Sequence, residues 1–244
     1  MKNPVQYSFQ RYEKKYFLTP EQQTRLLPAL QQHMQADAYG QYTLCNTYYD
    51  TADWRLIRAS LEKPVYKEKL RVRSYGVPEK DGRVFIEIKK KFDGIVYKRR
   101  ITAATAAAAP FLAGCDDGRT YGQIGREIAC FRDFYRPQPR VFIGYDRTAL
   151  AGIEEPGLRI TFDTHIRWRT AQPELQAGDG GQPLLPDDRI LMEVKIPGVC
   201  PLWLSRLLSE NRLFPVSFSK YGTCYREAIL PAERQTFQEV LYSA

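Results

Sequence analysis

The stretch YKEKLRVRSYGVPEKDGRVFIEIKKKFDGIVYKRRIT, residues 66–102, decides the fold. Its runs 66–75, 83–91 and 95–102 alternate charged and apolar residues and are parted by turn signals at Gly76/Pro78, Asp81-Gly82 and Asp93-Gly94. The spacing predicts a meander of antiparallel hairpins. Residues two apart share one face of a strand. Lys69, Arg71 and Arg73 therefore stand together, as do Glu87, Lys89 and Lys91, and Lys98 with Arg100. The opposite phase holds Leu70 and Val72, then Val84, Ile86 and Ile88, then Ile95, Tyr97 and Ile101.

The same alternation recurs on both sides of this segment. A first strand from Phe9 to Leu18 collects Arg11, Glu13 and Lys15 on one face. Later strands at 140–149, 158–163, 165–169 and 189–196 set Arg159 with Asp163 against Leu158, Ile160 and Phe162, and Glu193 with Lys195 against Ile190, Met192 and Val194. Thr19, Pro20 and Gln22 predict a capped helix from Pro20 to about Met34. A turn near Tyr39 and Gly40 leads into extended residues 43–49, and Thr51 caps a short helix carrying Trp54, Leu56, Ile57 and Leu61. The stretch Thr102 to Ala113 reads as helical or loose, and Thr120 starts a helix toward Tyr135 that Pro137 and Pro139 end. The polar, Gly-rich segment Ala171 to Asp188 reads as a loop or mobile lid. Pro201 opens a helix, and two more are expected near 220–229 and 231–241. No linker divides the chain, so a single domain over 1–244 is expected.

The chain has 244 residues with 43% hydrophobic content, ordinary for a globular core, and its 36 Lys plus Arg against 28 Asp plus Glu give a formal charge of +8. That balance favours an anionic partner. Ala103 to Ala113 falls short of the roughly 20 apolar residues that span a bilayer, and no basic start with an apolar run precedes Tyr7 as a secretory signal would. The five cysteines (Cys45, Cys115, Cys130, Cys200 and Cys224) are scattered with no CxxC pair. They read as reduced thiols of a cytoplasmic protein, and two histidines argue against a His/Cys metal site.

For any single strand, a charged phase is most simply a solvated face. Six such strands, with about five amphipathic helices needing an apolar surface to cover, read instead as a closed barrel whose charges point inward. Two like charges about 6 Å apart at an effective dielectric near 20 repel by roughly 3 kcal/mol. A lumen lined by a dozen cations therefore calls for a polyanion.

The chain resembles the triphosphate tunnel metalloenzyme (CYTH-like) superfamily in its first strand and in Tyr48-Tyr49-Asp50-Thr51-Ala52-Asp53. More closely it resembles the catalytic domain of the vacuolar transporter chaperone (VTC) polyphosphate polymerases. The matching pieces are RYEKKYFL at 11–18, LRVRSYG at 70–76, FIEIKKK at 85–91, VYKRR at 96–100, YDR at 145–147, LRITFDT at 158–164, MEVK at 192–195 and SFSKYG at 217–222. Two positions depart from the family pattern. The superfamily's hydrolases open with ExExK, whereas Arg11 stands at the first Glu, which suits the polymerase branch. Ser217 stands where the polymerases carry a Lys.

The resemblance implies an α+β fold, a closed antiparallel eight-stranded tunnel barrel with a charged lumen, surrounded by helices. It implies that Lys15, Arg71, Arg73, Lys89, Lys98, Arg147, Arg159 and Lys220 hold the reacting phosphates, with Arg11, Lys69, Arg100, Lys195 and Ser219 as further substrate contacts. Glu193 and Glu13 would be ligands for Mn2+ or Mg2+. Glu87 is a further candidate ligand, although a salt bridge to neighbouring cations is the simpler reading. The implied activity is transfer of the terminal phosphate of ATP onto polyphosphate with release of ADP. The alternatives are a triphosphatase acting on inorganic or nucleoside triphosphate and a non-catalytic polyphosphate-binding module. ATP and polyphosphate or triphosphate are the expected partners, without nucleic acid or direct membrane insertion, and with room for a membrane-protein partner. Tyr48, Tyr49 and Phe92 are candidates to pack a nucleoside base near a tunnel mouth, although core aromatics are the simpler reading. Alternation sends Lys90 of the KKK run at 89–91 to the face opposite its neighbours, so the run is not one nucleic-acid patch. No nucleophile–base constellation is present, and phosphoryl transfer to an ionised acceptor requires none.

Overall fold

A computed structural model describes residues 11–93, 95–155, 157–186 and 188–235, with the side chains of Arg11, Ala38 and Tyr39 excepted. In chain order the elements are β1 (Arg11–Leu18), α1 (Pro20–Gln31), β2 (Met34–Asp50), α2 (Arg55–Leu61), β3 (Tyr66–Tyr75), β4 (Arg83–Phe92) and β5 (Ile95–Ala104). There follow α3 (Thr105–Leu112), α4 (Gly122–Tyr135), β6 (Gln138–Gly152), β7 (Arg159–Arg169), β8 (Gln182–Pro183), β9 (Ile190–Pro197), α5 (Leu202–Glu210) and α6 (Lys220–Cys224).

The strands hydrogen bond in the order β1-β9-β7-β6-β2-β3-β4-β5, with β8 added to β7. This corrects the expected closed eight-stranded barrel: among the described residues the sheet has nine strands and an open order ending at β1 and β5. The run Ile95–Arg100 of β5 is exposed at every position. Alternation specifies which phase of each strand is charged, but closure requires the last strand to pair with the first, and no periodicity within a strand encodes that.

The chain packs as two compact units. The first comprises residues up to Thr43, Tyr145–Ile166 and Leu185–Ser217. Its core joins the apolar phases of β1 (Tyr16, Leu18), β7 (Ile160, Phe162) and β9 (Ile190, Met192, Val194, Ile196) to Leu26 and Leu30 of α1 and Leu204 and Leu208 of α5. Helix α1 starts as its sequence dictates. The Thr19 hydroxyl accepts from Gln22 N at 3.3 Å, Gln22 Oε1 accepts from Thr19 N at 2.9 Å, and Pro20 takes the first helical position. The expected turn at Gly40 is instead a point of positive φ (60°) within β2, where glycine lets the strand continue. The two strands expected at 158–163 and 165–169 are one, β7, carrying His165 at φ 46°.

The second unit comprises Leu44–Gly144, Arg167–Leu184 and the residues from Phe218 onward. Here Leu70 and Val72 of β3, Val84, Ile86 and Ile88 of β4 and Ile101 of β5 pack against Phe111 of α3 and Ile128 and Phe131 of α4. In both units helices cover most of the apolar phase of the strands, as the alternation predicts, but Ile95 and Tyr97 of β5, expected in that phase, stay exposed. Helix α2 is started by two side chains: Thr51 Oγ1 accepts from Arg55 N at 2.8 Å, and the buried Asp50 carboxylate accepts from Leu56 N and Ile57 N at 2.9 Å each. Thr120 does not cap α4, which follows a 3-10 turn at Arg119–Tyr121 without a side-chain cap. There a Cβ on Gly118 would lie 2.5 Å from Gly125 O, so this close approach requires glycine.

The segment expected to be a mobile lid is pinned. Arg169 donates to the carbonyls of Gln172, Glu174, Gly178 and Gly180, Arg167 binds Asp179, and Leu175 enters the core of this unit. A polar sequence gives no sign of carbonyls gathered by an arginine that lies outside the loop. The two expected C-terminal helices are continuous through the described residues: α6 passes into a π-helical turn, Tyr225–Ile229, and helix resumes to Gln235. Pro231 has no N–H to donate and sits just past the widened turn, where the regular ladder is already interrupted. The expected extension to 241 lies outside the described residues.

Candidate functional site

In the second unit the strand register builds a ladder of cations. Arg71 stands opposite Glu87, which stands opposite Arg100; Lys69 stands opposite Lys89, which stands opposite Lys98; and Arg73 stands opposite Phe85. Glu87 is 1% exposed, with Arg71 Nε and NH2 at 2.8 and 2.7 Å from Oε2 and Lys98 Nζ at 2.6 Å from Oε1. Burial opposes its charge, but Arg71, Arg73 and Lys98 together bring its pKa down to about 2. The salt-bridge reading of Glu87 therefore describes its geometry. Lys98 is pulled the other way. Burial outweighs the attraction of Glu87, Arg71 and Arg73 add repulsion, and its pKa falls to about 8 although 42% of the side chain is exposed.

These opposite shifts describe a cluster with more cations than its one carboxylate neutralises. Two consequences can be measured. A carboxylate with a depressed pKa contributes stability that is present above its unfolded value of 4.5 and lost as pH falls toward 2. For Glu87 this amounts to about 3 kcal/mol. Wild-type melting temperature is expected to fall more steeply than that of Glu87→Gln between pH 4.5 and 2, and parallel acid limbs would contradict the assignment. In turn, Lys98 loses its proton as pH rises through about 8. Affinity for tripolyphosphate is expected to weaken over that range in wild type, whereas Lys98→Arg should hold it, because guanidinium does not deprotonate there.

Several orienting residues of this cluster escaped the sequence reading. Asn46, 0% exposed, accepts from Arg73 Nε at 2.8 Å while its amide donates to Ile143 O at 2.9 Å, which fixes the guanidinium. Tyr48 OH accepts from Arg71 NH1 at 3.2 Å, and its ring stacks on Tyr221 with centroids 4.5 Å apart. Tyr221 donates to Asp50 at 2.7 Å, and burial pushes its phenol well above the ordinary range. Asn46, Tyr48 and Asp50 share one phase of β2, and that polar stripe was the available signal. Lys69 Nζ lies 3.5 Å from Ser219 Oγ and over the Tyr221 ring, next to the buried Lys220. The structure thus brings together Lys69, Arg71, Arg73, Lys89, Lys98 and Arg100 on β3–β5, with Ser219 and Lys220 at the start of α6. Tyr48 and Tyr49 are buried as expected, but Phe92 is 53% exposed and is no core residue. It closes the hairpin beside Asp93, where a turn leaves no helix to cover it. Lys90 turns to the other face and pairs with Glu68 and Glu127.

In the first unit Lys15 stands opposite Glu193, and Glu13 opposite Lys195. Lys15 Nζ lies 3.3 Å from Glu13 Oε1 and 3.7 Å from Glu193 Oε1. Arg147 forks onto Asp163, with Nε to Oδ1 at 2.6 Å and NH2 to Oδ2 at 2.7 Å, and NH2 also reaches Glu193 Oε2 at 3.2 Å. Burial disfavours the Arg147 charge, but Tyr145, Asp163 and Glu193 more than restore it. Burial and then Arg147 lower the pKa of Lys195 against Glu193 and Glu13. Arg159 is turned toward Asp37 at 3.3 Å. Asp163 is the residue the sequence reading grouped but gave no role, and it is the fixed partner of Arg147. The side chain of Arg11 lies outside the described residues.

Glu13 and Glu193 come from paired strands and converge on one cationic point, now the Lys15 ammonium. Among the described residues no three His, Cys, Asp or Glu side chains gather in a metal-ligand group. Two converging carboxylates suit Mg2+ or Mn2+, hard ions that take one or two carboxylates and fill the remaining positions with phosphate oxygens and water.

Two solved structures share the arrangement of this α+β chain. A candidate adenylate cyclase from Bacillus halodurans is 13% identical with a TM-score of 0.52, covering 88% of this chain and 96% of its own. The candidate adenylyl cyclase of Hippeastrum, described as having a dominant triphosphatase activity, is 15% identical with a TM-score of 0.50, covering 88% and 94%. The likeness is one of fold. No curated protein matches the sequence. The family model of the VTC domain matches residues 10–229, and the chain belongs to that family.

Proposed function

We propose that the chain works as one domain, a polyphosphate polymerase that moves the terminal phosphate of ATP onto a growing chain and releases ADP. The observation that carries the proposal is the ladder on β3–β5, in which Arg71, Arg73 and Lys98 surround one buried carboxylate and Lys69 and Lys89 continue the cationic face on the next rung. Such an excess of oriented charge suits a polyanion, and membership of the VTC family supports the specific choice.

In the proposed reaction a terminal phosphate oxygen of the acceptor chain attacks the γ-phosphorus of ATP. The bond from that phosphorus to the β,γ-bridging oxygen breaks, and its electron pair leaves with ADP. Near pH 7 the acceptor oxygen is already ionised, since the second ionisation of a phosphate lies near 6. No general base is needed. Arginines such as Arg71 and Arg73, held by Glu87 and Asn46, present forked donors to non-bridging oxygens, while Lys15, Lys89, Lys98 and Lys220 act as point charges. Lys69, Arg100, Lys195 and Ser219 extend the contacts, and Arg147 and Arg159 complete the set. Glu13 and Glu193 would hold the divalent ion, which when bound neutralises charge on the transferred phosphate. The cysteines, all free, fit a reducing cytoplasm. No helix among the described residues is long and apolar enough to cross a membrane.

The activity described for the Hippeastrum protein favours a second reading, hydrolysis of a triphosphate. Incubation with ATP and Mn2+ separates the two. Long-chain polyphosphate with stoichiometric ADP is the expected result, free phosphate without chain would install the hydrolase, and neither product would leave a binding module.

A further inference from the structure

The charged phase of β3–β5 continues past the residues given roles above. Two residues beyond the rung of Lys69, Lys89 and Lys98, on the same face, Lys67 stands opposite Lys91, which stands opposite Val96. Lys63, exposed and at φ 54°, precedes β3 close by. The three ammonium groups feel one another: burial first, then Lys91 and Lys63, lower the pKa of Lys67. Lys67 Nζ donates to Ser60 O at 3.0 Å, which holds it in place without neutralising it. Among the described residues no carboxylate pairs with Lys63, Lys67 or Lys91. The opposite face of the same hairpin is treated differently, since Lys90 and Arg99 both reach Glu127 and Lys90 also reaches Glu68. Uncompensated charge is therefore confined to the ladder face and runs to its end.

We propose that Lys63, Lys67 and Lys91 form a distal subsite for inorganic polyphosphate, engaged only by chains longer than a triphosphate. The proposal rests on the reading of the ladder as a polyphosphate site. Lys67 is four residues from Arg71, about 13 Å along the strand at ~3.3 Å per residue. A tripolyphosphate seated at Arg71 and Lys98 is too short to touch both ends, whereas a longer chain laid along the face meets a lysine rung at each step. The subsite makes affinity rise with chain length.

The test measures binding of tripolyphosphate and of long-chain polyphosphate over a range of salt concentrations. It compares wild type, the double variant Lys67→Ala/Lys91→Ala, its charge-preserving counterpart Lys67→Arg/Lys91→Arg, and Lys80→Ala. Lys80 is exposed at the far turn of the β3–β4 hairpin and controls for net charge. The alanine pair is expected to lose about tenfold in affinity for the long chain, and its salt dependence should become shallower by one to two counterions, about one per lost phosphate contact. Tripolyphosphate binding should stay within about twofold of wild type, which also shows that the variant is folded. The arginine pair and Lys80→Ala should bind both anions as wild type does. Equal affinity of the alanine pair and wild type for the long chain, or an equal loss for both anions, would overturn the distal subsite alone. A wild type that binds neither anion would overturn the underlying reading and the subsite with it.

Discussion

Replacing Glu193 by Gln is expected to lower turnover by at least ~100-fold while tripolyphosphate affinity stays within a few-fold of wild type. The substitution keeps size and shape and removes one negative charge. Oε2 of Glu193 lies 3.2 Å from Arg147 NH2, but Arg147 retains both oxygens of Asp163, so its guanidinium stays in place. Oε1 lies 3.7 Å from Lys15, which keeps Glu13 at 3.3 Å. Every cation proposed to hold phosphate is therefore preserved, and what is lost is half of the carboxylate pair proposed for the divalent ion. Isothermal titration with tripolyphosphate, beside a turnover assay with Mn2+, separates the two effects. Wild-type turnover in Glu193→Gln would remove Glu193 from the metal site, and a matching loss of anion affinity would make it a structural residue instead.

Asp163→Ala is expected to be among the most destabilising single changes in the first unit, at about 3–5 kcal/mol, because it leaves the guanidinium of Arg147 buried with its forked partner gone. Asp163 is 0% exposed and Arg147 8%. For a chain of this size that corresponds to a fall in melting temperature of roughly 10 °C. Glu193 remains at 3.2 Å and recovers part of the loss, so Asp163→Ala combined with Glu193→Gln should cost more than the two single variants added. Removing both sides of the fork, in Asp163→Ala/Arg147→Met, should restore stability toward wild type without restoring activity. An Asp163→Ala melting temperature within about 2 °C of wild type would show that the pair contributes little.

The alternation of residues 66–102 was legible because one period governs both burial and charge. Leu70, Val72, Ile86 and Ile88 are buried, Lys90 is turned from its neighbours, and Glu87 is bridged by cations. Hydrogen bonding between distant segments was not legible. Asn46 shares a polar phase of β2 with Tyr48 and Asp50, but nothing in that stripe names Arg73 of another strand as its partner. Arg169 secures a loop whose polar, Gly-rich sequence reads as mobile. Arg147 shares its strand with Val141, Phe142 and Ile143, buried on both faces, so no periodicity marked it, and its role depends on Asp163 of another strand. Closure of the sheet belongs to the same class, since it is a relation between the ends of an order of strands that local pattern does not contain.

The Tyr221–Asp50 hydrogen bond joins residues 171 positions apart. Hairpins β3–β4 and β4–β5 need only local contacts and can form as soon as their residues are available, whereas this bond must wait until Tyr221 has been made. On a ribosome, the carboxylate that starts α2 would lack its phenol partner until α6 emerges, and Ser219 and Lys220 arrive with it. The second unit can thus assemble its cationic ladder early and receives the residues at the start of α6 later. Before that step, a nascent chain already carries an exposed and highly charged sheet, for which cellular polyanions are available counterions while folding is still incomplete.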